Sequence, residues 1–335
     1  MASMKPFPIL SFSEFKSSRD AFSKKVFSAS HDWGFFVLTD TGLENVDRMF
    51  ELSHQFFDLP FGEKAEKVMN EQAVGYDGKN MTTFAASEGI SFALPAGGIL
   101  KTENLPSWWD QSRRKEIEDF KSQCYNLSAN ILSCFSAELG LDESFFLDSH
   151  LHNKEPGNNL KLIKYPKIEE QTDGIPRLSE HTDWGSLTFV FTTQGGLEIQ
   201  DPKDKWCQVP VVPGGIVVNI GDALSLWTGK ALKSTLHRIT WENLPMDKDR
   251  YSIAYFVNPN YDASLRTPGA SQDNEPSLTY RDFYKIRLRL TYGSIQDLKS
   301  RTNTFEGIDT DMLQLVRKLE VANHGLLESN HLIKT

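Results

Sequence analysis

The sequence predicts a mainly β protein with flanking helices, arranged as a sandwich or barrel rather than as a parallel α/β sheet. After "GNN" at 157–159, short β-prone runs arrive one after another: "LKLIKY", "SLTFVF", "GLEIQ", "GIVVNI", "LKSTLHRIT" and "RYSIAYF". Turns rich in Gly, Pro and Asp separate them, the pattern of a sandwich or barrel. Helical patterning precedes and follows this block along the chain.

The elements follow in order. "WGFFVLT" is short, β-rich and bounded by Gly34, and "NVDRMFELSHQFF" places Val46, Met49, Phe50 and Phe57 on one helical stripe that ends at Pro60. Residues 68–108 hold no sustained period and carry Gly75, Gly78, Gly89, Pro95, Gly97, Gly98 and Pro106, so they read as a long excursion with short elements at most. Excursions of this length in compact domains are often functional. From about 111 to 139, Ile117, Phe120, Cys124, Leu127, Ile131 and Phe135 recur at three- and four-residue steps, an amphipathic helix. Beyond Tyr261 come a Pro/Gly segment, a helix around 279–292 and a helical tail from about 309. The expected organisation is one integrated unit: an N-terminal α/β region (1–110), a supporting helix (111–150), a strand-rich core (151–262) and a C-terminal helical region (263–335).

Composition narrows the function. The chain has 335 residues, with 39% hydrophobic, 24% charged and 11% aromatic residues and 22 Phe, an ordinary globular balance with an aromatic-rich interior. A net charge of −9 disfavours nucleic acid as a partner. Three cysteines in no C-x-x-C pair suggest neither a disulfide framework nor a thiolate zinc site, and Cys124 and Cys134 fall in the helical pattern as small core residues. "MASMKPFPIL" lacks a signal-peptide core, and no stretch approaches the length of a membrane span. The expectation is a soluble cytoplasmic protein, with no nucleic-acid or membrane partner. A monomer is compatible with the sequence, which leaves the oligomeric state open.

The chemistry concentrates at "EHTDWGSLTFVF". His181 and Asp183 stand two apart before an apolar strand, and side chains at i and i+2 of an extended chain project the same way, so the two could grip one ion. Two histidines and one carboxylate with open positions are the usual set for non-haem Fe(II) oxygenases. The second histidine must come from elsewhere. Of the remaining seven, His237 lies in a late strand, whereas His54 sits on a helix, His324 and His331 in the tail, and His150 and His152 in a polar turn; His31 is the seventh. An isolated H-x-D arises by chance, and a single histidine is more often structural than a ligand. Downstream, "RYS" presents Arg250 and Ser252 on one strand face, a receiver suited to a planar carboxylate. For Arg250 alone an ordinary surface salt bridge is the better explanation.

Taken together, these segments resemble the Fe(II)/2-oxoglutarate-dependent dioxygenases of the isopenicillin-N-synthase-like group, over most of the chain. "PILSFSEF", "HDWGFFVLTDTGL", "FFDLPFGEK", "LKLIKYP", "HTDWGSLTFVF", "GGLEIQD", "VVNIGDALSLWTGKALKSTLHRI" and "RYSIAYFVNP" follow the family's order and spacing. The resemblance implies a double-stranded β-helix, or jelly roll, with helices outside. It implies His181, Asp183 and His237 as iron ligands, Arg250 and Ser252 as the grip on the distal carboxylate of 2-oxoglutarate, and Tyr165 as a further cosubstrate contact. It also implies O2 as co-reactant and ascorbate as an auxiliary reductant. Two departures stand out. Ile163 occupies a position where many relatives carry Asn, and Thr41 and Gly42 replace a usual histidine-glycine pair.

The implied reaction is oxidation of a small organic metabolite, with hydroxylation as the default and desaturation or rearrangement within reach, and with 2-oxoglutarate converted to succinate and CO2. The aromatic supply suits a small molecule of specialised metabolism. Tyr76, Phe84, Phe92 and Trp184 are candidates for the substrate walls, each equally explicable as plain core. Two other readings compete: an oxidase with the same iron site that does not use 2-oxoglutarate, which Ile163 favours slightly, and a non-catalytic jelly-roll binding protein that keeps a metal.

Overall fold

The computed structural model describes residues 6–70, 73–78, 87–93, 102–167, 177–240, 244, 247–269 and 278–292. In chain order the elements are β1 (Ile9–Ser11), α1 (Ser13–Ser17), α2 (Arg19–Asp32), β2 (Phe35–Thr39), α3 (Val46–Phe57), α4 (Phe61–Lys64), β3 (Val74–Asp77), β4 (Glu88–Ala93) and α5 (Gln111–Glu138). They continue with β5 (Asn159–Tyr165), β6 (Leu178–His181), β7 (Leu187–Thr192), β8 (Leu197–Gln200), β9 (Trp206–Gln208), β10 (Ile216–Ile220), α6 (Asp222–Trp227), β11 (His237–Ile239), β12 (Arg250–Val257) and α7 (Tyr280–Tyr292).

The strands form an eight-stranded sheet in the order β1-β2-β10-β7-β12-β5-β4-β3 and a four-stranded sheet in the order β6-β11-β8-β9, the two faces of a jelly roll. The N-terminal region adds strands to the large sheet: β1 runs parallel to β2, and β2 pairs antiparallel with β10. At the opposite edge β4 pairs antiparallel with β5 and β3 with β4, so the excursion at 68–108 contains two sheet strands.

Period-two alternation divides the large sheet into two chemically different faces. Its outer face, with Ile253, Tyr255 and Val257 of β12 and Leu160 and Leu162 of β5, joins the helices in the main core. Helix α5 supplies Ile117, Phe120, Cys124, Leu127, Ile131 and Phe135 to that core, the stripe the sequence predicts, and the Phe120 ring lies 5.4 Å from that of Phe191. Asp110 caps this helix by accepting from Arg113 N at 2.9 Å. The inner face meets the small sheet through Trp33, Phe35, Val37 and Val217 against Leu197, Ile199 and Val209.

Two strand expectations change. Of "LKSTLHRIT" only His237–Ile239 is strand, because the preceding backbone is engaged by the end of α2: Lys233 N donates to Ser30 O at 3.0 Å and Thr235 Oγ1 to Trp33 O at 2.7 Å. β6, reading "LSEH", carries too little apolar patterning to announce itself, yet it pairs with β11. The expected helix near 279–292 is α7, whereas the tail from 309, with His324 and His331, lies outside the described residues. Among the described residues no helix is long and apolar enough to cross a membrane.

Candidate active site

His181 ends β6, and Asp183 follows it into the turn before β7; His237 opens β11, in direct register with His181. That pairing brings the two imidazole centroids to 4.2 Å. Asp183 Oδ1 lies 3.9 Å from His181 Nε2 and 3.8 Å from His237 Nε2. The three ligand atoms all fall within 4.8 Å of one another, and together they could hold a metal ion.

Each side chain is oriented by a partner on its far side, the arrangement that fixes the donor atom of a metal ligand. His181 Nδ1 is 2.8 Å from Ser179 O and His237 Nδ1 is 3.2 Å from Thr235 O, which makes Nδ1 the protonated nitrogen and leaves both Nε2 lone pairs facing Asp183. Asn219 Nδ2 donates to Asp183 Oδ2 at 2.8 Å, and Thr188 also bonds the carboxylate. Asp183 is held in place by its backbone as well: Asp222 N donates to Asp183 O at 2.7 Å and Gly221 N to Ser186 O at 2.9 Å. A Cβ at Gly221 would stand 2.2 Å from Gly185 O, so this crossing of two chain segments requires glycine.

The electrostatics match a cationic guest. Burial pushes the His237 imidazole down to about 4, with His181 acting the same way, so it is neutral near pH 7. Burial pushes Asp183 up, but the nearby His237 and His181 rings together with hydrogen bonds from Thr188 and Asn219 outweigh it, and the carboxyl lies below its ordinary range. Imidazole and carboxylate donors are suited to ferrous iron.

A second group of residues lies on the inner face of the large sheet. Arg250 and Ser252 share that face of β12, and Tyr165 is opposite Arg250 in register. Arg250 is 1% exposed, donates through Nε to Gly195 O at 3.1 Å, and leaves Nη1 buried without a hydrogen-bond partner among the described residues. Such an orphan is costly unless an anion meets it. The fit to a carboxylate is therefore good on both counts, donor chemistry and the unmet hydrogen bond. The guanidinium carbon sits 5.2 Å from the Tyr165 ring centroid, and that of Arg177, also buried, sits 5.7 Å from the same ring. Ile163 packs here with Tyr165, Ile239 and Leu178, an apolar wall where a polar contact was in question.

The wall candidates separate by face. Tyr76 and Phe92 occupy the outer face, where the Tyr76 ring packs 6.1 Å from Phe56 and the Phe92 ring 4.7 Å from Trp109. Both belong to the core beneath the helices, because each falls on the strand parity opposite to Ser252 and Ile163. Trp184 packs against α7, 5.7 Å from the Tyr284 ring. Phe84 lies outside the described residues. His150 is buried, bonded at Nδ1 to Phe146 O (2.6 Å) and at Nε2 to Ser186 Oγ (2.8 Å), a structural histidine away from the ligand cluster.

Sequence reasoning missed Asn219, Thr188, Asp222, Arg177 and Arg287. For Asn219 a signal existed, a single amide inside the apolar run "GIVVNI". Arg287 on α7 reaches Asp222 Oδ2 at 3.0 Å and Thr182 Oγ1 at 3.3 Å, a contact between segments that no local pattern announces.

Comparison with known proteins agrees with this geometry. The family described as the 2OG-Fe(II) oxygenase superfamily matches residues 156–259, and the non-haem dioxygenase in morphine synthesis N-terminal family matches residues 7–99. A UPF0676 protein of Schizosaccharomyces pombe is 32% identical over 290 residues, 81% of this chain and 88% of that one. Proline hydroxylase buaE of Petromyces alliaceus is 29% identical over 309 residues, 82% of this chain and 94% of its own. The crystal structure of a full-length Neurospora crassa protein in complex with alpha-KG and 5-formyluracil superposes with a TM-score of 0.75 at 25% identity, covering 85% of this chain and 96% of that one. The chain belongs to the 2OG-Fe(II) oxygenase superfamily, and is an enzyme that uses Fe(II) and 2-oxoglutarate to oxidise small metabolites.

Proposed function

We propose that the chain hydroxylates a small organic metabolite, with His181 Nε2, Asp183 Oδ1 and His237 Nε2 holding Fe(II) and with Arg250, Ser252 and Tyr165 receiving 2-oxoglutarate. The observation that carries this reading is the convergence of three donor atoms within 4.8 Å at the small sheet, while the facing side of the large sheet carries a buried guanidinium with an N–H unmet among the described residues. Bound iron supplies the redox chemistry that couples decarboxylation of 2-oxoglutarate to insertion of oxygen into a C–H bond.

The protein's own residues prepare that chemistry. Ser179 and Thr235 carbonyls keep the two imidazoles in the tautomer that presents Nε2. Asn219 occupies Asp183 Oδ2 and so directs Oδ1 to the metal. Arg250 neutralises and orients the distal carboxylate of the cosubstrate, since a guanidinium can give two parallel N–H donors to one planar acid. Ile163, Leu178 and Ile239 pack with Tyr165 as an apolar lining at that end, and charge pairing is stronger where water is scarce.

Anaerobic addition of Fe(II) and 2-oxoglutarate should produce a weak visible charge-transfer band, and in air succinate should form. His181→Ala should abolish both. Absence of the band and of succinate with every substrate tried would refute the reading. Proline hydroxylase buaE, by its name a hydroxylase, supports hydroxylation as the outcome. Dependence of O2 uptake on 2-oxoglutarate separates this reading from the oxidase alternative.

A further inference from the structure

The two segments that carry the proposed iron ligands meet over a short ladder. β6 and β11 pair at His181–His237 and at Leu178–Ile239 with a shift of register between them, and β11 is three residues long. His181 closes β6 and His237 opens β11, so Thr182 and Asp183 on one side and Ser234 and Thr235 on the other run on past the end of the ladder. Strand pairing fixes the approach of the two histidines and leaves the spacing of these flanking segments to other contacts.

Asp222, the first residue of α6, supplies such contacts. Its Oδ2 accepts from Thr182 Oγ1 at 2.8 Å and its Oδ1 from Ser234 Oγ at 2.6 Å, so the two oxygens of one carboxylate hold one segment each. Its backbone N donates to Asp183 O at 2.7 Å, which grips the Thr182–Asp183 stretch from side chain and main chain at once. Thr182 stands between the ligands His181 and Asp183. Ser234 precedes Thr235, whose carbonyl lies 3.2 Å from His237 Nδ1 and orients that ring. The end of α2 holds Lys233 and Thr235 from behind, and Asp222 joins this segment to the other.

Helix α7 closes the same cluster. Arg287 Nη2 bonds both Asp222 Oδ2 and Thr182 Oγ1, and the Tyr284 ring lies 5.7 Å from that of Trp184, the residue after Asp183. The Asp222 and Arg287 side chains are both largely buried. A buried ion pair adds little net stability, because desolvation offsets the attraction. Its place here, with a hydroxyl drawn in from each ligand segment, is accounted for by positioning.

We infer that Asp222 is a positioning residue that sets the spacing of the two ligand-bearing segments, and that docking of α7 and binding of iron are coupled through it. The inference rests on the ligand assignment proposed above and adds what holds those ligands in place. Coupling of this kind is reciprocal: iron steadies α7, and loosening α7 weakens the iron site.

The test uses the full chain, titrated anaerobically with Fe(II) by calorimetry at a temperature where every variant is folded. Ser234→Ala and Thr182→Val each delete one tether and leave the Asp222 and Arg287 charges in place. Each should weaken Fe(II) binding by about 10-fold, the low end of the usual loss of an outer partner. Either deletion opens the same clamp, so the double variant should also lose roughly 10-fold, where two independent effects would multiply to roughly 100-fold. Ser234→Thr, which keeps the hydroxyl, should bind Fe(II) as the parent does. Fe(II) should slow amide hydrogen exchange along α7 of the parent by a larger factor than along α5, and this excess should shrink in Thr182→Val. Single variants that melt at lower temperature yet bind Fe(II) as tightly as the parent would overturn the proposal and leave Asp222 a structural tie. Multiplying losses in the double variant, or α7 exchange indifferent to Fe(II), would overturn it as well. A parent chain that binds no Fe(II) would instead count against the ligand assignment itself.

Discussion

Asn219 donates its side-chain amide to Asp183 Oδ2 at 2.8 Å, from a strand whose other residues are all apolar. This bond leaves Oδ1 as the oxygen 3.8 and 3.9 Å from the two histidine nitrogens. Asn219→Leu, close in volume but without a donor, frees the carboxylate to turn and leaves Oδ2 unpaired. Loss of such an outer partner typically weakens metal binding by about 10–100-fold. Anaerobic calorimetric titration with Fe(II) checks this, and an affinity equal to the parent's would show that Asn219 does not orient the ligand.

Arg250 and Arg177 flank Tyr165 at 5.2 and 5.7 Å from its ring centroid. Burial lowers both guanidinium pKa values from their ordinary range, and for Arg177 the charge of Arg250 adds to that effect. Bringing in a dicarboxylate relieves this concentration of positive charge. Arg250→Met removes a desolvated ionic partner, for which losses of about 2–5 kcal/mol are usual, and 2-oxoglutarate affinity should fall by roughly 30-fold or more. Arg177→Met should weaken it by a smaller factor, on the order of 10, because its effect is exerted across the Tyr165 ring. Titrating 2-oxoglutarate against the visible band of the Fe(II)-loaded protein measures both. An unchanged dissociation constant for Arg250→Met would remove the cosubstrate role.

The parts of this architecture that were legible in the sequence are those carried by short-range pattern. The α5 stripe from Ile117 to Phe135 announces itself through three- and four-residue spacing, and β12 through its β-rich composition. His181 and Asp183 are visible because two residues of one strand end share a direction. Their meeting with His237 is a matter of register between β6 and β11, two strands far apart in sequence, and only the resemblance to known oxygenases supplied it beforehand. Tyr76 and Phe92 show the converse. Aromatic character marks them as buried, but the face on which they are buried depends on strand parity through β3, β4 and β5, which composition does not encode. The same parity turns Lys161 and Asp77 inward, where hydropathy alone would assign them to solvent.

Arg287 on α7 ties the C-terminal helix to the iron segment. Its Nη2 lies 3.0 Å from Asp222 Oδ2 and 3.3 Å from Thr182 Oγ1, while its guanidinium carbon lies 5.7 Å from the Trp184 ring centroid. Burial raises the Asp222 pKa despite Arg287, Ser234 and Thr182, so removing the arginine strands a buried acid. Arg287→Met should cost about 3 kcal/mol or more, the usual consequence of breaking a buried ion pair from one side. Adding Asp222→Asn should recover a large part, because the amide can still accept from Thr182 without carrying charge. Denaturant midpoints of the two variants decide the matter, and equal destabilisation in the single and double variants would rule out the pairing as the cause.

His150 sets a pH dependence that can be read apart from the iron site. It is fully buried, bonded to Phe146 O and Ser186 Oγ, and burial pushes its pKa down to about 4. In the unfolded chain the imidazole returns to about 6.5. The folded value is the lower one, so between about pH 6.5 and 4 the unfolded state binds the extra proton and stability must fall as the solution is acidified. The contribution is fully present above about pH 6.5 and declines through the window, by up to about 3 kcal/mol at roughly 1.36 kcal/mol per pKa unit. His150→Gln keeps hydrogen-bonding capacity without a titrating ring, and it should therefore flatten the metal-free stability profile between about pH 4.5 and 7 relative to the parent. His237, also lowered to about 4, remains in both proteins, so the difference between their urea midpoints isolates His150. Parallel profiles for the two proteins would mean that His150 is protonated in the fold or that its burial carries no penalty.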